Sequence, residues 1–438
     1  MKITFMGAGS TIFCKNVLGD VLLSKTISEC EIALYDIDGN RLEESYAVVD
    51  RLNKKYNSDK AVVKKYLGVE NRKEALRGAS FVVNAIQVGG YEPCTVIDFE
   101  IPRKYGLLQT IGDTLGIGGI FRGLRTIQVM KDFARDMEEV CPDALLLNYT
   151  NPMAILTGYM LRYTGVKTVG LCHSVQVCTS SLLNTLGIPD QPIGSELIAG
   201  INHMAWLLDV RDKDGNDLYP MLKKLAKEKN AREKHGNMVR LDYMDKLGYY
   251  CTESSEHNAE YNPYYIKSKY PELIERFNIP IDEYLHRCVR QIDEWQAQKE
   301  QLFNGGDIEH VRSSEYASHI MEAITMNTTY SIGGNVLNNG LITNLPSKAV
   351  VEVPCLVNGR GIQPTVIGEL PTQLAAMNNS NVSCQLLTIE AAVTGKKEHL
   401  YQAAMFDPHT ASELSIDDII SMCDEMIAAH EAAGFKIL

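Results

Sequence analysis

Short apolar runs alternate with helical periodicity along the first half of the chain. The runs predict buried strands at residues 2–6, 31–36, 80–86, 143–148 and 167–171. Helices are predicted between them, beginning with 11–23 and 42–56. Continuous apolar strands separated by helices are typical of a parallel sheet covered on both faces. The pattern therefore predicts an α/β fold with an N-terminal Rossmann-like, doubly wound sheet.

The pattern changes after about residue 195. Segments 196–202 and 206–210 resemble strands of a different sheet, charged helices are predicted within 219–248 and 281–303, and a helix is predicted at 317–325. Extended chain follows near 328–355, and 370–430 is mostly helical in pattern. We therefore predict two closely packed domains, a Rossmann-like domain over 1–195 and an α+β domain over 196–438.

Composition narrows the class of protein. The 438 residues carry 43 Lys+Arg and 55 Asp+Glu, a net charge of -12, which argues against a nucleic-acid partner. No run of about 18 apolar residues is present, so no membrane-spanning helix is expected. Gly7, Gly9 and Ser10 interrupt the apolar start too early for a signal peptide. The 11 cysteines form no C-x-x-C pair, which favours reduced thiols and a cytoplasmic location.

The first strand is followed by a glycine turn. Gly7 and Gly9 open the helix that starts at Thr11, and Asp36 ends the next strand. Such a turn lets a diphosphate approach the helix N-terminus, and the carboxylate can bind ribose hydroxyls while repelling a 2′-phosphate. The motif indicates an NAD site; the alternative is a turn without a ligand, since Ile12 replaces the third glycine. The candidate cofactor-binding residues are Gly7, Gly9, Ser10, Thr11, Asp36 and Asn84.

A second group of motifs follows later strands. Cys172 and His173 end the strand at 167–171, and His203 lies about thirty residues further on. A thiolate with an imidazole suits a transition metal, although His203 also fits a buried core histidine. Asn151 precedes a proline, which favours an extended backbone and points its amide into the crevice.

Two further segments are rich in polar chemistry. Residues 109–125 contain five glycines, four of them before a helix predicted from near Ile120, and the first turn of this helix carries Arg122 and Arg125 on one side. This is typical of a loop over a polar ligand, or of a flexible loop with solvated arginines. Residues 252–265 crowd carboxylates, a histidine and tyrosines into a segment with little periodicity.

Together these motifs resemble glycoside hydrolase family 4, the NAD- and Mn²⁺-dependent glycosidases. The resemblance rests on GAGS at 7–10, IGDTLGIGGIFRGLR at 111–125, NYTNPM at 148–153, LCHSV at 171–175, NH at 202–203 and SSEHNAEY at 254–261. It implies a fold similar to lactate and malate dehydrogenases, and Cys-His-Ser-Val resembles the α-galactosidase branch. Residues 87–92 lack the arginine that phospho-glycosidases carry, which implies an unphosphorylated sugar.

The resemblance also implies a mechanism and residue roles. The sugar is oxidised at C3, loses its C2 proton, releases the aglycone by elimination, adds water and is reduced again. Cys172 and His203 would bind Mn²⁺, and Asn151 would bind the sugar. The implied catalytic residues are Tyr261 as C2 base with Tyr264 next, His173 at the place of the general acid, and Asp113 as an assisting acid. The implied substrate contacts include Arg122, Arg125 and Arg290.

Several functions compete at this point. The main expectation is an α-galactosidase acting on small α-galactosides as a homodimer or homotetramer, without nucleic acid or membrane. An α-glucosidase or α-glucuronidase of the same family differs too little to be separated by one sequence. A metal-free 2-hydroxy-acid dehydrogenase shares the cofactor domain, but Cys172 with His203 argues against it. A non-catalytic dinucleotide sensor would leave the cluster at 252–265 unexplained.

Overall fold

A computed structural model describes residues 1–303 and 308–438, with the side chains of 300–303 excluded. Its strands are β1 (Lys2–Met6), β2 (Glu31–Asp36), β3 (Val62–Leu67), β4 (Phe81–Asn84), β5 (Leu145–Asn148), β6 (Lys167–Gly170), β7 (Ser195–Ile201), β8 (Met204–Arg211), β9 (Tyr250–Cys251), β10 (Tyr330–Leu337), β11 (Val350–Asn358) and β12 (Gly361–Pro364).

Helices connect and cover these strands. They are α1 (Thr11–Leu22), α2 (Gly39–Asn57), α3 (Arg72–Leu76), α4 (Val96–Lys104), α5 (Gly116–Val140), α6 (Met153–Tyr163), α7 (Cys178–Leu186), α8 (Tyr219–Arg232), α9 (Met238–Lys246), α10 (Ser255–Glu260), α11 (Glu272–Arg276), α12 (Glu283–Phe303), α13 (Ala317–Met326), α14 (Thr372–Thr394), α15 (Lys397–Phe406), α16 (Pro408–Glu413) and α17 (Ile416–Ala432). Short helical turns lie at Val69–Asn71 and Gly90–Thr95.

The first six strands form the predicted parallel sheet. Their order is β3-β2-β1-β4-β5-β6, and every neighbouring pair is parallel. This is the doubly wound order of dinucleotide-binding folds, in which ligands bind outside the carboxyl ends of the strands. The α/β prediction is confirmed.

The strands of the second half do not form a separate sheet, which corrects the sequence interpretation. β10 pairs antiparallel with β6 through Asn335 and Gly170, and β11 continues to β7 through Glu352 and Gly200. The order then ends β7-β8-β9, so one sheet crosses the predicted boundary at residue 195. Periodicity within a strand says which face is buried and not which distant strand is its neighbour. The domain boundary itself stays a prediction.

The C-terminal helices pack on the N-terminal half. α14 contacts α5 and α6, and α17 contacts α4. Phe121, Leu156, Ile389 and Met422 belong to the apolar core that these helices share. Because both halves contribute side chains to this core, close packing fixes the position of one half relative to the other.

Two local details differ from the sequence pattern. β3 was not predicted, because most of its residues are exposed or half-buried and it lacks an apolar run. Helix α5 begins at Gly116 rather than near Ile120. Its first turn contains Gly118, where an added Cβ would lie 2.3 Å from the carbonyl oxygen of Gly112. The glycines therefore serve close packing within a helix. None of the described helices is long and apolar enough to cross a membrane.

Candidate active site

A cavity of about 660 Å³ opens at the carboxyl ends of the parallel strands. Both halves of the chain contribute to it. Its polar lining includes Ser10, Gln87, Asp113, Arg122, Asn151, Cys172, His173, His203, Arg240, Glu253, His257 and Arg287. Seven of these twelve are candidate site residues from the sequence, where they lie in separate motifs, and the fold brings them together with the other five.

The glycine turn forms one end of the site. Gly7 has φ +85°, and a Cβ there would lie 2.7 Å from the carbonyl oxygen of Ala85 at the end of β4. The Asp36 carboxylate accepts a 2.6 Å hydrogen bond from the Gly9 amide and a 2.9 Å bond from the Asp38 amide. The carboxylate that ends β2 is therefore held against the turn that ends β1.

The start of α1 offers backbone donors beside this turn. Ser10 precedes the helix without capping it through its side chain. The Thr11 hydroxyl instead bonds to Ser45, 2.9 Å away. Helix N-terminal amides that lack a side-chain cap bind anions readily. Ile37, directly after Asp36, is 74% exposed and offers an apolar surface next to the carboxylate.

Asn84 has a different environment from the other predicted cofactor residues. Its side chain is fully buried within the sheet. Its Nδ2 donates a 2.9 Å hydrogen bond to Asn148 Oδ1 on the neighbouring strand. The structure therefore places this amide in the core and not at the cavity wall.

Three candidate metal ligands meet at the other end of the cavity. Cys172 follows β6, His203 lies in the turn between β7 and β8, and Glu253 follows β9. One ligand atom from each side chain lies within 4.8 Å of the other two. His203 Nε2 is 3.8 Å from Glu253 Oε2. The predicted pairing of Cys172 with His203 is thus close in space, and Glu253 joins it.

A second triplet shares His203. Asp113, His203 and His257 also bring ligand atoms within 4.8 Å of one another. His257 Nε2 lies 3.7 Å from Asp113 Oδ1. Asp113 has partners of its own, since it accepts hydrogen bonds from the Thr114 hydroxyl (2.7 Å) and the Asn151 amide (3.4 Å).

Charges in the cavity shift the ionisation of these groups. Burial opposes ionisation of Asp113, but the hydrogen bond and charge of His257 hold the pKa of its carboxyl below the ordinary value. Burial also opposes ionisation of Glu253, yet His203 and His257 lower the pKa of that carboxyl. Burial raises the pKa of the Cys172 thiol, and nearby carboxylates add to this effect. A thiolate at Cys172 therefore needs a positive charge beside it.

Residues behind the motif at Cys172 hold it in place. The Tyr316 hydroxyl accepts a 2.7 Å hydrogen bond from the Cys172 amide and donates a 3.0 Å bond to the Cys172 carbonyl. His173 Nε2 lies 2.6 Å from Glu315 Oε2, and this hydrogen bond raises the pKa of His173. The imidazole at the cavity wall is therefore kept in its protonated form over a wider pH range.

Tyr261 lies behind the metal end and does not line the cavity. It is 1% exposed, and its hydroxyl is 3.3 Å from His203 Nδ1. Such contacts to the second ring nitrogen orient metal-binding histidines. The role of Tyr261 as C2 base stays a prediction.

Other predicted residues lie elsewhere. Tyr264 is 58% exposed. Arg290 on α12 binds Glu283 at 2.6 Å on the surface. Arg125 is buried in a bidentate pair with Asp98, which also binds His430. Of the three predicted arginines, Arg122 lies at the cavity, where it donates to the Tyr284 hydroxyl at 3.0 Å.

Sequence reasoning missed several polar residues of the cavity. Glu253 and His257 lie in the segment 252–265 that was singled out as crowded, but its tyrosines were chosen instead. Arg240 and Arg287 lie on α9 and α12 and line the same cavity. The sequence could not reveal these arginines, because a charged residue on the polar face of a helix looks the same in sequence whether that face meets solvent or a cavity.

Glu260 is a further residue that the sequence did not reveal. Its buried carboxylate accepts hydrogen bonds from the amides of Thr110 (2.7 Å) and Gly112 (2.8 Å). Burial raises its pKa to about 7, against the lowering effect of those amides. Because Asp113 follows directly, Glu260 ties helix α10 to the loop that carries a cavity carboxylate.

Comparisons with known proteins agree with this architecture. Residues 2–188 match the model of the family 4 glycosyl hydrolases, and residues 198–410 match that of the family 4 glycosyl hydrolase C-terminal domain. An α-galactosidase of Bacillus subtilis (strain 168) is 62% identical over 98% of both chains. An α-galactosidase of Rhizobium meliloti (strain 1021) is 34% identical over 98% of this chain and 88% of that one.

Solved structures share the fold. A 6-phospho-alpha-glucosidase from gut microorganisms, in complex with NAD and Mn²⁺, superposes with a TM-score of 0.79 at 21% identity, covering 100% of this chain and 99% of that chain. A lactate dehydrogenase from Eimeria maxima gives a TM-score of 0.52 at 13% identity, covering 90% and 95%. At these identities the likeness concerns the fold alone, and it confirms the predicted similarity of fold to lactate dehydrogenase.

Proposed function

This chain belongs to glycosyl hydrolase family 4, and from that premise we propose that it is an α-galactosidase that uses NAD and Mn²⁺. One observation carries the proposal: a dinucleotide-type glycine turn, through Ser10, and a thiol–imidazole–carboxylate cluster line one cavity. The two relatives named α-galactosidase support the choice of sugar.

The residues around the glycine turn fit NAD. The uncapped start of α1 suits a diphosphate, and Asp36 suits the two ribose hydroxyls. The exposed side chain of Ile37 lies where an adenine ring would find an apolar contact. The same carboxylate would repel the 2′-phosphate of NADP, so NAD is the preferred dinucleotide.

The cluster at the other end fits a divalent transition metal. Cys172 and His203 supply a thiolate and an imidazole within a single coordination sphere. Tyr261 and Tyr316 orient these two residues from behind. When bound, NAD supplies reversible oxidation of the sugar, and Mn²⁺ supplies a Lewis acid.

The remaining cavity residues would bind the sugar and move protons. Asn151 presents an amide to the sugar hydroxyls. Asp113 stays ionised although it is buried, because His257 beside it lowers the pKa of its carboxyl, and it holds the Asn151 amide by a hydrogen bond. The hydrogen bond to Glu315 raises the pKa of His173, which suits proton donation to the departing aglycone.

The arginines of the cavity are oriented by partners within the chain. Arg122 donates to the Tyr284 hydroxyl and the Asn151 carbonyl. Arg287 pairs with Glu256 at 3.1 Å, and Arg240 donates to Asn237 at 2.7 Å. Among the described residues, only Arg287 of the three is paired with a carboxylate, and Arg122 and Arg240 keep N–H donors that can bind sugar hydroxyls.

The test is hydrolysis of a matched set of 4-nitrophenyl glycosides with added NAD⁺, Mn²⁺ and thiol. The α-galactoside should be cleaved at least about tenfold faster than the α-glucoside, the α-galacturonide or a 6-phospho-glycoside, a preference of about 1.4 kcal/mol. Removal of either NAD⁺ or the metal should abolish cleavage, with no net NADH formed. Cleavage without the dinucleotide, or a preference for a charged sugar, would contradict the proposal.

A further inference from the structure

The Glu253 carboxylate lies at the metal end of the cavity without an ordinary partner. Its side chain is 23% exposed, and the nearest ring nitrogens are His257 Nδ1 at 3.4 Å and His203 Nε2 at 3.8 Å. Among the residues that the structure describes, no donor forms a hydrogen bond to it. Glu253 lines the cavity, so its carboxylate is open to a ligand that enters there, and a carboxylate without donors from the protein is suited to bind a cation. The free oxygens of Glu253 therefore point to a positively charged ligand.

The distances fit a single ion. Cys172, His203 and Glu253 each place a ligand atom within 4.8 Å of the other two. Bonds from such ligands to divalent metals are about 2.0 to 2.6 Å long, so two ligands of one ion lie at most about 5 Å apart. A thiolate and a carboxylate also balance the two positive charges, and a carboxylate oxygen suits Mn²⁺ better than sulfur does.

The backbone holds two of these ligands in a disfavoured conformation. His203 has φ +62° and Glu253 has φ +66°, both in the left-handed region. Their neighbours are bonded to each other across adjacent strands: the Thr252 amide donates to the Ala205 carbonyl at 2.8 Å, and the Ala205 amide donates to the Thr252 hydroxyl at 3.1 Å. Strained residues that are fixed by their surroundings in this way are concentrated at functional sites.

Asp113, the carboxylate of the second triplet with His203, is less available. Both oxygens of Asp113 already accept hydrogen bonds, from Thr114 and from Asn151. His257 Nδ1 lies 2.6 Å from the Ser254 hydroxyl. The two triplets share His203, and only the triplet with Glu253 offers a carboxylate without donors of its own.

We propose that Glu253 is the third protein ligand of the metal ion, beside Cys172 and His203. The assignment rests on the proposed function, since it concerns the same metal. It leaves Asp113 and His257 on the adjoining wall for the sugar and its protons. The cavity then has a metal-binding wall and a proton-transfer wall that meet at His203.

The test measures Mn²⁺ binding to the NAD-loaded protein by calorimetry and by the electron paramagnetic resonance of free Mn²⁺. Glu253→Gln should raise the metal Kd by at least the roughly 10- to 100-fold that loss of an outer-sphere partner costs. Glu256→Gln is the matched control, because Glu256 lies three residues away and pairs with Arg287. Its metal Kd should change by less than about twofold.

A second variant separates metal loss from misfolding. Glu253→Gly removes the carboxylate and also the backbone strain, because glycine adopts φ +66° without penalty. It should lose metal affinity like Glu253→Gln, yet unfold at no lower temperature than the wild type when both are in EDTA. In both variants, the thiolate charge-transfer absorption of saturating Co²⁺ should persist, since Cys172 is unchanged.

The outcomes are distinguishable. If both Glu253 variants bind Mn²⁺ as tightly as the wild type, or if Asp113→Asn alone loses the metal, Glu253 is not the ligand and the proposed function stands. If the wild type binds NAD but no Mn²⁺, the metal of the proposed function is wrong as well.

Discussion

The two ends of the cavity are built in different ways. At the dinucleotide end, Gly7, Gly9 and Asp36 belong to one βαβ unit, and the Gly7 amide bonds to the Tyr35 carbonyl at 3.0 Å. At the metal end, Cys172, His203 and Glu253 come from three separate segments. His203 and Glu253 have left-handed backbone conformations. Cys172 follows the last parallel strand, β6, whereas His203 and Glu253 follow strands of the antiparallel extension, β7 and β9.

The difference teaches how each end tolerates change. A local unit folds with its own hydrogen bonds, so loss of one side chain there affects mainly the ligand group that it touches. The metal end depends on supports behind it, such as Tyr316 on Cys172, Tyr261 on His203 and Glu260 on the loop before Asp113. Loss of a ligand or a support there should therefore affect binding and catalysis together.

The largest effect is expected at the metal end. Cys172→Ser replaces the thiolate with a poor ligand, so metal affinity should fall by more than about 100-fold and activity should be lost. NAD binding, followed by fluorescence titration, should be unchanged because the glycine turn is at the other end. Full activity of the variant without added metal would contradict the metal assignment.

The matched control for that variant is Cys178→Ser. Cys178 is buried in α7 a few residues further on and belongs to an apolar core away from the ligands. The same substitution there should leave the metal Kd unchanged, although it costs some stability. An equal loss of metal affinity in both variants would mean that Cys172 acts through folding.

An intermediate effect is expected from a support. Tyr261→Phe removes the hydroxyl 3.3 Å from His203 Nδ1 and should weaken Mn²⁺ binding roughly 10- to 100-fold. Tyr264→Phe, at a ring 58% exposed, should change nothing. Exchange of the sugar C2 hydrogen with deuterated solvent at saturating metal reports separately on the base. Unchanged exchange in Tyr261→Phe would move that role to another residue.

The smallest effect is expected at the dinucleotide end. Asp36→Ala removes a charged acceptor and should weaken NAD binding by about 1.5 kcal/mol, or about tenfold in Kd, while relaxing the choice against NADP. Asp38→Asn keeps the cap of α2 and should leave both dinucleotides unaffected. The metal Kd should be the same in all three proteins. If NAD affinity is unaltered, Asp36 has no role at the ribose, and the two ends are not separate in the way described.

Sequence patterns located most elements of the first half to within a few residues. β1 and β2 were predicted with their observed bounds, because buried parallel strands are continuous apolar runs. The exposed edge strand β3 has no such run and was missed. The candidate site residues differ in the same way. Cys172, His203 and Asn151 lie at predicted strand ends or in turns, so the pattern places them at the edge of the sheet. Tyr264 and Arg290 lie in segments where no strand end or turn fixes their position, and both are at the surface.

The sequence by itself determined the parallel sheet, the glycine turn with Asp36, and the family to which the chain belongs. The sheet and the turn depend on residues that are close together in the chain, and the family is indicated by several motifs that occur in a fixed order along it. The tertiary structure alone decided that the antiparallel strands extend the same sheet, that Glu253 faces Cys172 and His203, and that Tyr261 lies behind the imidazole. Those facts depend on which distant segments become neighbours, and periodicity along one segment carries no information about the segment that packs against it.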